Sequence, residues 1–244
     1  MFSPSPRIYA DVVLKAGQNV SLPEKAARHV QVLRMQPGQY LTLFNGQGGE
    51  WQAEITAMGR SNVDVLLGSH DPIERHSPCP VTLMTAVPAN ERMDFLVEKA
   101  TELGVYALFP VIFERSVVRL NAERAEKKRA HWQAIAIAAC EQCGSNRVPV
   151  IAAPLTLLQV LERLGENPQL LPVDRRLLGF VNAAPWPKEK TREGVCVLSG
   201  PEGGLTAAEE VLLAEKAGFM PYSLGPRVLR ADTAPLAALS TLTI

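Results

Sequence analysis

The stretch Val81-Thr82-Leu83-Met84-Thr85-Ala86-Val87, with the helical repeat of residues 90–103 and then Val105-Tyr106-Ala107-Leu108-Phe109-Pro110-Val111-Ile112-Phe113, decides the fold class. A nearly continuous apolar run without alternation predicts a strand covered on both faces, as in a parallel sheet flanked by helices. Between the two runs, Met93, Leu96, Val97, Ala100 and Leu103 fall on one helix face, and Gly104 supplies the stop. Strand, helix, strand in that order predicts an α/β unit over a mostly parallel sheet. The pattern continues with a long helix over Asn121–Gln142, charged first and apolar later, and a helix over Leu155–Leu164. Beyond these come a strand over Val195–Ser199 and a helix over Thr206–Ala217, where Thr206 and Glu209 form a capping box and Gly218 closes the end. Residues 165–194, punctuated by Gly and Pro, read as a long exposed connection. Ligands of such a unit are expected at the C-terminal edges of its strands.

On the N-terminal side the period changes. Tyr40–Phe44, an Asn45-Gly46 turn, Trp51–Thr56 and Asn62–Leu67 read as short strands. An extended stretch over Asp11–Val20 and one helix precede them. That helix is expected to open at Ser21-Leu22-Pro23-Glu24, with Ser21 as cap and Glu24 returning the bond, and to end near Arg34-Met35. Residues 1–72 are therefore expected to form a small, mostly β domain, with Ser69–Pro80 as linker and 73–244 as the α/β domain.

Composition narrows the classes. The chain has 244 residues, 47% hydrophobic and 20% charged, in the ordinary globular range. Its 25 Lys and Arg balance 25 Asp and Glu, so no overall basic field points to a nucleic-acid partner, although a local patch can serve. The longest apolar runs fall far short of the roughly 20 residues that span a bilayer, and no membrane association is expected. The N-terminal residues lack a secretory pattern, which reads as cytosolic, hence cytoplasmic. Four cysteines are too sparse for a disulfide scaffold. The Cys140/Cys143 pair has no second pair or spaced histidines, so no metal is expected.

Two glycine-centred turns can carry chemistry. Gly200-Pro201-Glu202-Gly203-Gly204 lies between a strand and a capped helix, where backbone N–H groups can face a ligand. It is neither a P-loop nor a GxGxxG fingerprint, and spacing alone equally allows a tight structural turn. Leu224-Gly225-Pro226-Arg227-Val228-Leu229-Arg230, followed by Asp232-Thr233-Ala234-Pro235, is the second; the pair can line one pocket or be structural turns with solvated arginines. Between 110 and 150, Arg115, Arg119, Arg124, Lys127, Lys128, Arg129 and Arg147 outnumber the four acidic residues. Such a segment can pair with phosphates, or can be a solvated helix face. Glu98 and Glu102 read first as surface charges, and no nucleophile elbow is present.

Taken in order, Arg7-Ile8-Tyr9, His29-Val30 with Leu33-Arg34-Met35, Glu98-Lys99-Ala100-Thr101-Glu102-Leu103-Gly104 and Arg115-Ser116-Val117-Val118 form part of a familiar set. It is completed by Glu141-Gln142, Arg147-Val148-Pro149, Gly200-Pro201-Glu202-Gly203-Gly204 and Leu224 to Arg230. Over nearly the whole chain this set resembles the bacterial ribosomal small subunit methyltransferase E family, within the SPOUT superfamily. The resemblance implies methylation of N3 of a specific uridine of 16S rRNA in the small ribosomal subunit. It also implies a PUA-like barrel that binds RNA, a C-terminal SPOUT domain with a deep trefoil knot, and a homodimer. S-adenosylmethionine would lie against Leu198, Gly200, Pro201, Glu202, Gly203, Leu224, Gly225, Leu229, Arg230 and Thr233. On the chemistry of uracil N3, Arg230 is expected as the catalytic residue that polarises the base, and Arg7, Arg34, Arg115, Arg119, Arg124 and Arg147 are expected to bind RNA. Ala231-Asp232 stands where members commonly read Thr-Glu, and Ser199 where an aliphatic residue is common. The residues alone leave three other readings open: a noncatalytic RNA binder, a knotted methyltransferase of ribose or tRNA, and a small-molecule α/β enzyme.

Overall fold

Alternation governs the first strands. Leu41, Leu43, Ala53, Ile55, Val63, Val65 and Leu67 point inward at every second position and are buried. In the computed structural model, which describes residues 5–88, 92–116, 121–166, 174–178, 183–187 and 192–244, these strands belong to one of two units. That unit comprises Met1–His76 with Ile137–Val148; the other comprises Ser77–Ala136 with Pro149–Ile244.

The first unit holds β1 (Arg7–Tyr9), β2 (Asn19–Ser21), α1 (Glu24–Val32), β3 (Tyr40–Phe44), β4 (Glu50–Met58) and β5 (Val63–Asp71). Its sheet runs β1-β3-β4-β5-β2, with β1 parallel to β3 and the other pairs antiparallel. Irregular register at Trp51/Ala53 and Ile55/Ala57 bends β4, and Ala26, Ala27 and Val30 of α1 pack into the core. Two expectations change here. Ser21 lies in β2 opposite Asp64 and donates its hydroxyl to that carboxylate, so it does not cap α1, which starts at Glu24 behind Pro23 with no side-chain cap. The extended reading of Asp11–Val20 contracts to β2, because only Asn19–Ser21 finds a partner strand.

A polar cluster binds residues 137–148 into this unit. Arg7 pairs with Glu50, and its Nη2 donates to Oδ1 of the fully buried Asn146 at 2.7 Å. The Asn146 amide donates to the Ile73 carbonyl at 2.8 Å, and Arg75 bridges Glu50 and the Gly144 carbonyl. Glu141 accepts the Tyr9 N–H at 2.9 Å and lies 3.2 Å from His29 Nδ1.

The second unit contains β6 (Val81–Ala86), α2 (Arg92–Glu102), β7 (Ala107–Ile112), most of α3 (Ala122–Cys143), β8 (Val150–Ile151), β9 (Leu155–Thr156) and α4 (Leu157–Gly165). It continues through β10 (Asp174–Leu178), β11 (Ala184–Pro185), β12 (Val195–Ser199), α5 (Ala207–Val211), a π-helical turn (Leu212–Lys216), β13 (Met220–Ser223) and α6 (Thr233–Thr243). The sheet order is β11-β13-β10-β12-β6-β7-β8, parallel throughout, with β9 also beside β7. Every residue of β6 and β12 is buried, as their unbroken apolar runs predict. One sheet face packs on α2, Trp132 and Ala136 of α3, and Ala238, Leu239 and Leu242 of α6. The other packs on Leu157 and Val160 of α4 together with Leu213 and Phe219.

The exposed connection expected over 165–194 is corrected by β10, an interior strand between β12 and β13, and by β11 at the edge. Its polar look comes from Asp174-Arg175-Arg176. Arg176 is only 4% exposed, ion-paired with Asp174, with its guanidinium 4.9 Å from the Trp186 ring and 5.8 Å from that of Tyr222. A cation neutralised and stacked in this way can occupy a buried strand. Among the described residues no helix is long and apolar enough to cross a membrane.

The cluster around Glu50 gives a pH prediction. Burial alone raises this carboxyl, but hydrogen bonds from Arg75 and Arg7 outweigh it and hold the group at about 2, against an ordinary 4.5. A depressed carboxyl stabilises the folded state fully above its unfolded pKa and loses that contribution as pH falls toward its folded one. Glu50→Gln should therefore cost on the order of 3 kcal/mol at neutral pH. The difference from the native chain should shrink between pH 4.5 and 2, as read by urea unfolding across that window.

Candidate functional site

β12 and β13 both run parallel to β10, so their C-terminal ends emerge at one edge of the sheet. The last residue of β10 sits between them: Leu178 is in register with Ser199 on one side and Tyr222 on the other. From Ser199 the chain turns through residues 200–205 into α5. From Ser223 it turns through 224–232 into α6. The two glycine-centred loops thus face each other across the end of β10, and a cavity of about 500 Å3 lies there. Leu178 and Ser199 form its inner part, residues 200–202, 204, 205 and Glu210 one wall, and residues 228–231 with Ala234 the other.

Local bonding fixes both walls. Thr206 Oγ1 accepts the Glu209 N–H at 3.3 Å, and Glu209 Oε2 accepts the Thr206 N–H at 2.8 Å, completing the expected capping box. Gly204 takes φ +72°, a left-handed conformation that glycine adopts without a steric cost. On the opposite wall the Arg230 carbonyl accepts the N–H groups of Thr233 and Ala234 at 3.0 and 2.9 Å, which ties Arg230 to the first turn of α6. Glu202, Glu210 and Arg230 are the charged residues of the cavity lining, and Leu178, Leu205, Leu229 and Ala234 are among the apolar ones. Arg92 approaches Glu202 at 3.4 Å, and Val228 is 88% exposed at the rim.

The structure sorts the residues named from the sequence. Gly200, Pro201, Glu202, Leu229 and Arg230 line the cavity. Leu198 does not: it is fully buried in the core with Leu213 and Phe219, since its side chain points into a sheet face. Gly203, Leu224, Gly225 and Thr233 stand beside the lining residues rather than among them. Of the arginines, Arg34, Arg124 and Arg147 are exposed. Arg7 is engaged with Glu50 and Asn146, and Arg119 lies outside the described residues. Arg115 is exposed and its Nη1 contacts the carbonyls of Gly203 and Leu205. Gly204, Val228 and Ala234, quoted within the two motifs, and Ser199 and Ala231, noted as departures, also line the cavity; Leu178, Leu205 and Glu210 belong to no motif, and Leu178 required knowing that β10 exists.

Other candidates fall away as sites. Glu98 and Glu102 both pair with Lys99 on the surface. Burial pushes the Cys140 thiol up to about 12. Among the described residues no group of three or more His, Cys, Asp or Glu is arranged to hold a metal.

Residues 75–243 match the family described as an RNA methyltransferase domain, and residues 22–67 match an RNA methyltransferase PUA domain. The ribosomal RNA small subunit methyltransferase E of Buchnera aphidicola subsp. Schizaphis graminum is 31% identical, over 98% of this chain and 96% of that one. The crystal structure of a ribosomal RNA small subunit methyltransferase E from Neisseria gonorrhoeae, bound to S-adenosyl methionine, is 38% identical and superposes with a TM-score of 0.86 over 97% of this chain and 96% of that one. A putative methyltransferase from Legionella pneumophila, solved with bound SAM, has a TM-score of 0.86 and 37% identity, covering 98% of this chain and 96% of that one.

Removal of the cap should be measurable without any ligand. Thr206→Ala should lower stability by about 1 kcal/mol and Thr206→Ser by only a few tenths. Thermal unfolding should show a drop of roughly 2–4 °C for the first and almost none for the second.

Proposed function

This chain belongs to the ribosomal RNA small subunit methyltransferase E family, and on that footing we propose that it transfers the methyl group of S-adenosylmethionine to N3 of one uridine of 16S rRNA in the small ribosomal subunit. The observation that carries the reading is that both glycine-centred loops line one shared cavity at the C-terminal edge of a parallel sheet. Its volume of about 500 Å3 suits a nucleoside-sized ligand. Its residues fit the cofactor in kind. Leu178, Leu205, Leu229 and Ala234 offer apolar contact for an adenosine, and the glycine turns offer backbone groups for its polar edges. The carboxylates of Glu202 and Glu210 suit the positive charges of the sulfonium and the amino group.

When bound, S-adenosylmethionine supplies an electrophilic methyl carbon. The remaining tasks fall to this chain. Uracil N3 is weakly acidic and carries a proton, so negative charge develops on the flanking carbonyl oxygens as that proton leaves and the nitrogen attacks. Arg230 lines the cavity and is held by the first turn of α6, a position from which its guanidinium stabilises that charge. N3 is hidden in a base pair, so the uridine enters unpaired or flipped. Arg34, Arg124 and Arg147, exposed on their units, supply phosphate contacts whose strength falls with salt.

In this reading residues 1–72 form the PUA-like RNA-binding domain and 73–244 the SPOUT domain. The chain from the 224–232 loop through α6, whose Ala238, Leu239 and Leu242 are buried in the unit's core, completes a trefoil knot. The enzyme acts as a cytoplasmic homodimer.

Transfer of labelled methyl from S-adenosylmethionine to small subunits from cells lacking the modification, followed by nucleoside mass spectrometry, tests the proposal. One 3-methyluridine is expected; a different methylated nucleoside, or none, overturns it. Arg230→Ala should lower kcat on the order of 10²-fold while subunit binding persists. Unchanged turnover would remove Arg230 from the chemistry.

A further inference from the structure

The corner that follows β7, Phe113-Glu114-Arg115-Ser116, grips the 200–206 loop at two points that the reaction as described leaves unused. Arg115 Nη1 donates to the Gly203 carbonyl at 3.2 Å and to the Leu205 carbonyl at 3.1 Å. Next to it, the Glu114 N–H donates to Glu209 Oε1 at 2.8 Å, while the other oxygen of the same carboxylate accepts the Thr206 N–H. The corner is itself stiff: the hydroxyl of the buried Ser116 accepts the Phe113 N–H at 2.9 Å, and the Ser116 N–H donates to the Phe113 carbonyl at 3.1 Å. The loop has the shape to receive it. A Cβ on Gly203 would lie 3.3 Å from Arg115 Cβ and 3.5 Å from the Arg115 carbonyl oxygen, so a bare glycine lets the two backbones close.

These contacts bear on the cavity directly. The two carbonyls held by Arg115 flank Gly204, and both Gly204 and Leu205 line the cavity. A guanidinium donating to neutral carbonyls makes charge-assisted bonds, stronger than neutral ones. We infer that Arg115 is a positioning residue for the cofactor loop, and that it governs cofactor affinity rather than contact with RNA phosphates. The inference rests on the cavity being the S-adenosylmethionine site. It separates Arg115 from Arg124 and Arg147, with which it shares only a basic stretch of sequence.

The test compares the intact protein with Arg115→Ala, Arg115→Lys and Gly203→Ala. S-adenosylmethionine binding is measured by calorimetry, and the apparent KM for small subunits is measured across a salt series. Arg115→Ala should weaken cofactor binding about tenfold, as for loss of a hydrogen bond to a charged group. Arg115→Lys should restore affinity to within about threefold, because an ammonium can still donate to either carbonyl. Gly203→Ala presses on the same contact from the loop side and should weaken the cofactor in the same direction, which keeps the test sound if Arg115→Ala folds poorly. The KM for small subunits and its salt dependence should stay at native values in all three. A native cofactor affinity in Arg115→Ala overturns the inference, as does a salt slope reduced by about one, the mark of a lost phosphate contact. A native protein that binds no S-adenosylmethionine overturns the cofactor assignment itself, a result distinct from either.

Discussion

The place of β10 between β12 and β13 is the constraint on which the site depends. Two parallel pairings, Leu178 with Ser199 and Leu178 with Tyr222, bring two loops distant in sequence to one sheet edge. Without that strand, β12 and β13 would have no common neighbour and the loops no reason to meet. Its stability comes from an unusual source for an interior strand. Leu177 and Leu178 supply ordinary apolar burial, but Arg176 is kept inside by Asp174 and by the faces of Trp186 and Tyr222. Removing the carboxylate alone would leave a buried charge short of its partner, the costly way to break such a pair.

That strand also marks where the sequence stops being readable. Unbroken apolar runs made β6 and β12 plain, a five-position stripe made α2 plain, and Thr206 with Glu209 announced the start of α5. Those signals are local, as propensity and periodicity are. Asp174-Arg175-Arg176 carries the opposite local signal, because the groups that make it burial-worthy, Trp186 and Tyr222, come from later in the chain. Ser21 failed for the same reason: its hydroxyl fits a helix cap by spacing, but a partner strand brings Asp64 opposite it. The cavity was half legible. Glycine turns could be read as candidate walls, whereas Leu178 and Glu210 become visible only once the strand order and the direction of α5 are known. A trefoil knot, as proposed for this domain, has no local signature at all, and ordered motif resemblance alone suggested it.

A net charge of zero conceals a division of labour among the arginines. Arg7 and Arg75 converge on Glu50, Arg176 on Asp174, and Arg175 donates to the Ala217 carbonyl at 2.6 Å. These guanidiniums stitch segments together within their own units, using a planar array of donors that a lysine lacks. Charge counts along a sequence cannot separate this use from nucleic-acid contact; the separation comes from the acceptors each side chain meets.

The polar cluster of the first unit reaches forward to Glu141 and Asn146, some 130 residues beyond Arg7 and Tyr9. On a ribosome, which emits a chain from its N-terminus, the sheet of β1 to β5 is complete long before those acceptors exist. Arg7 and Arg75 must wait beside Glu50 while β6, α2, β7 and all of α3 are made, and only then can Asn146 accept from Arg7 and the Gly144 carbonyl from Arg75. Contacts so far apart in sequence are slow to form because the intervening chain must first be ordered. The first unit therefore cannot be finished as an independent module during synthesis; its last polar contacts are made only after the Ser77–Ala136 part of the second unit has been synthesised.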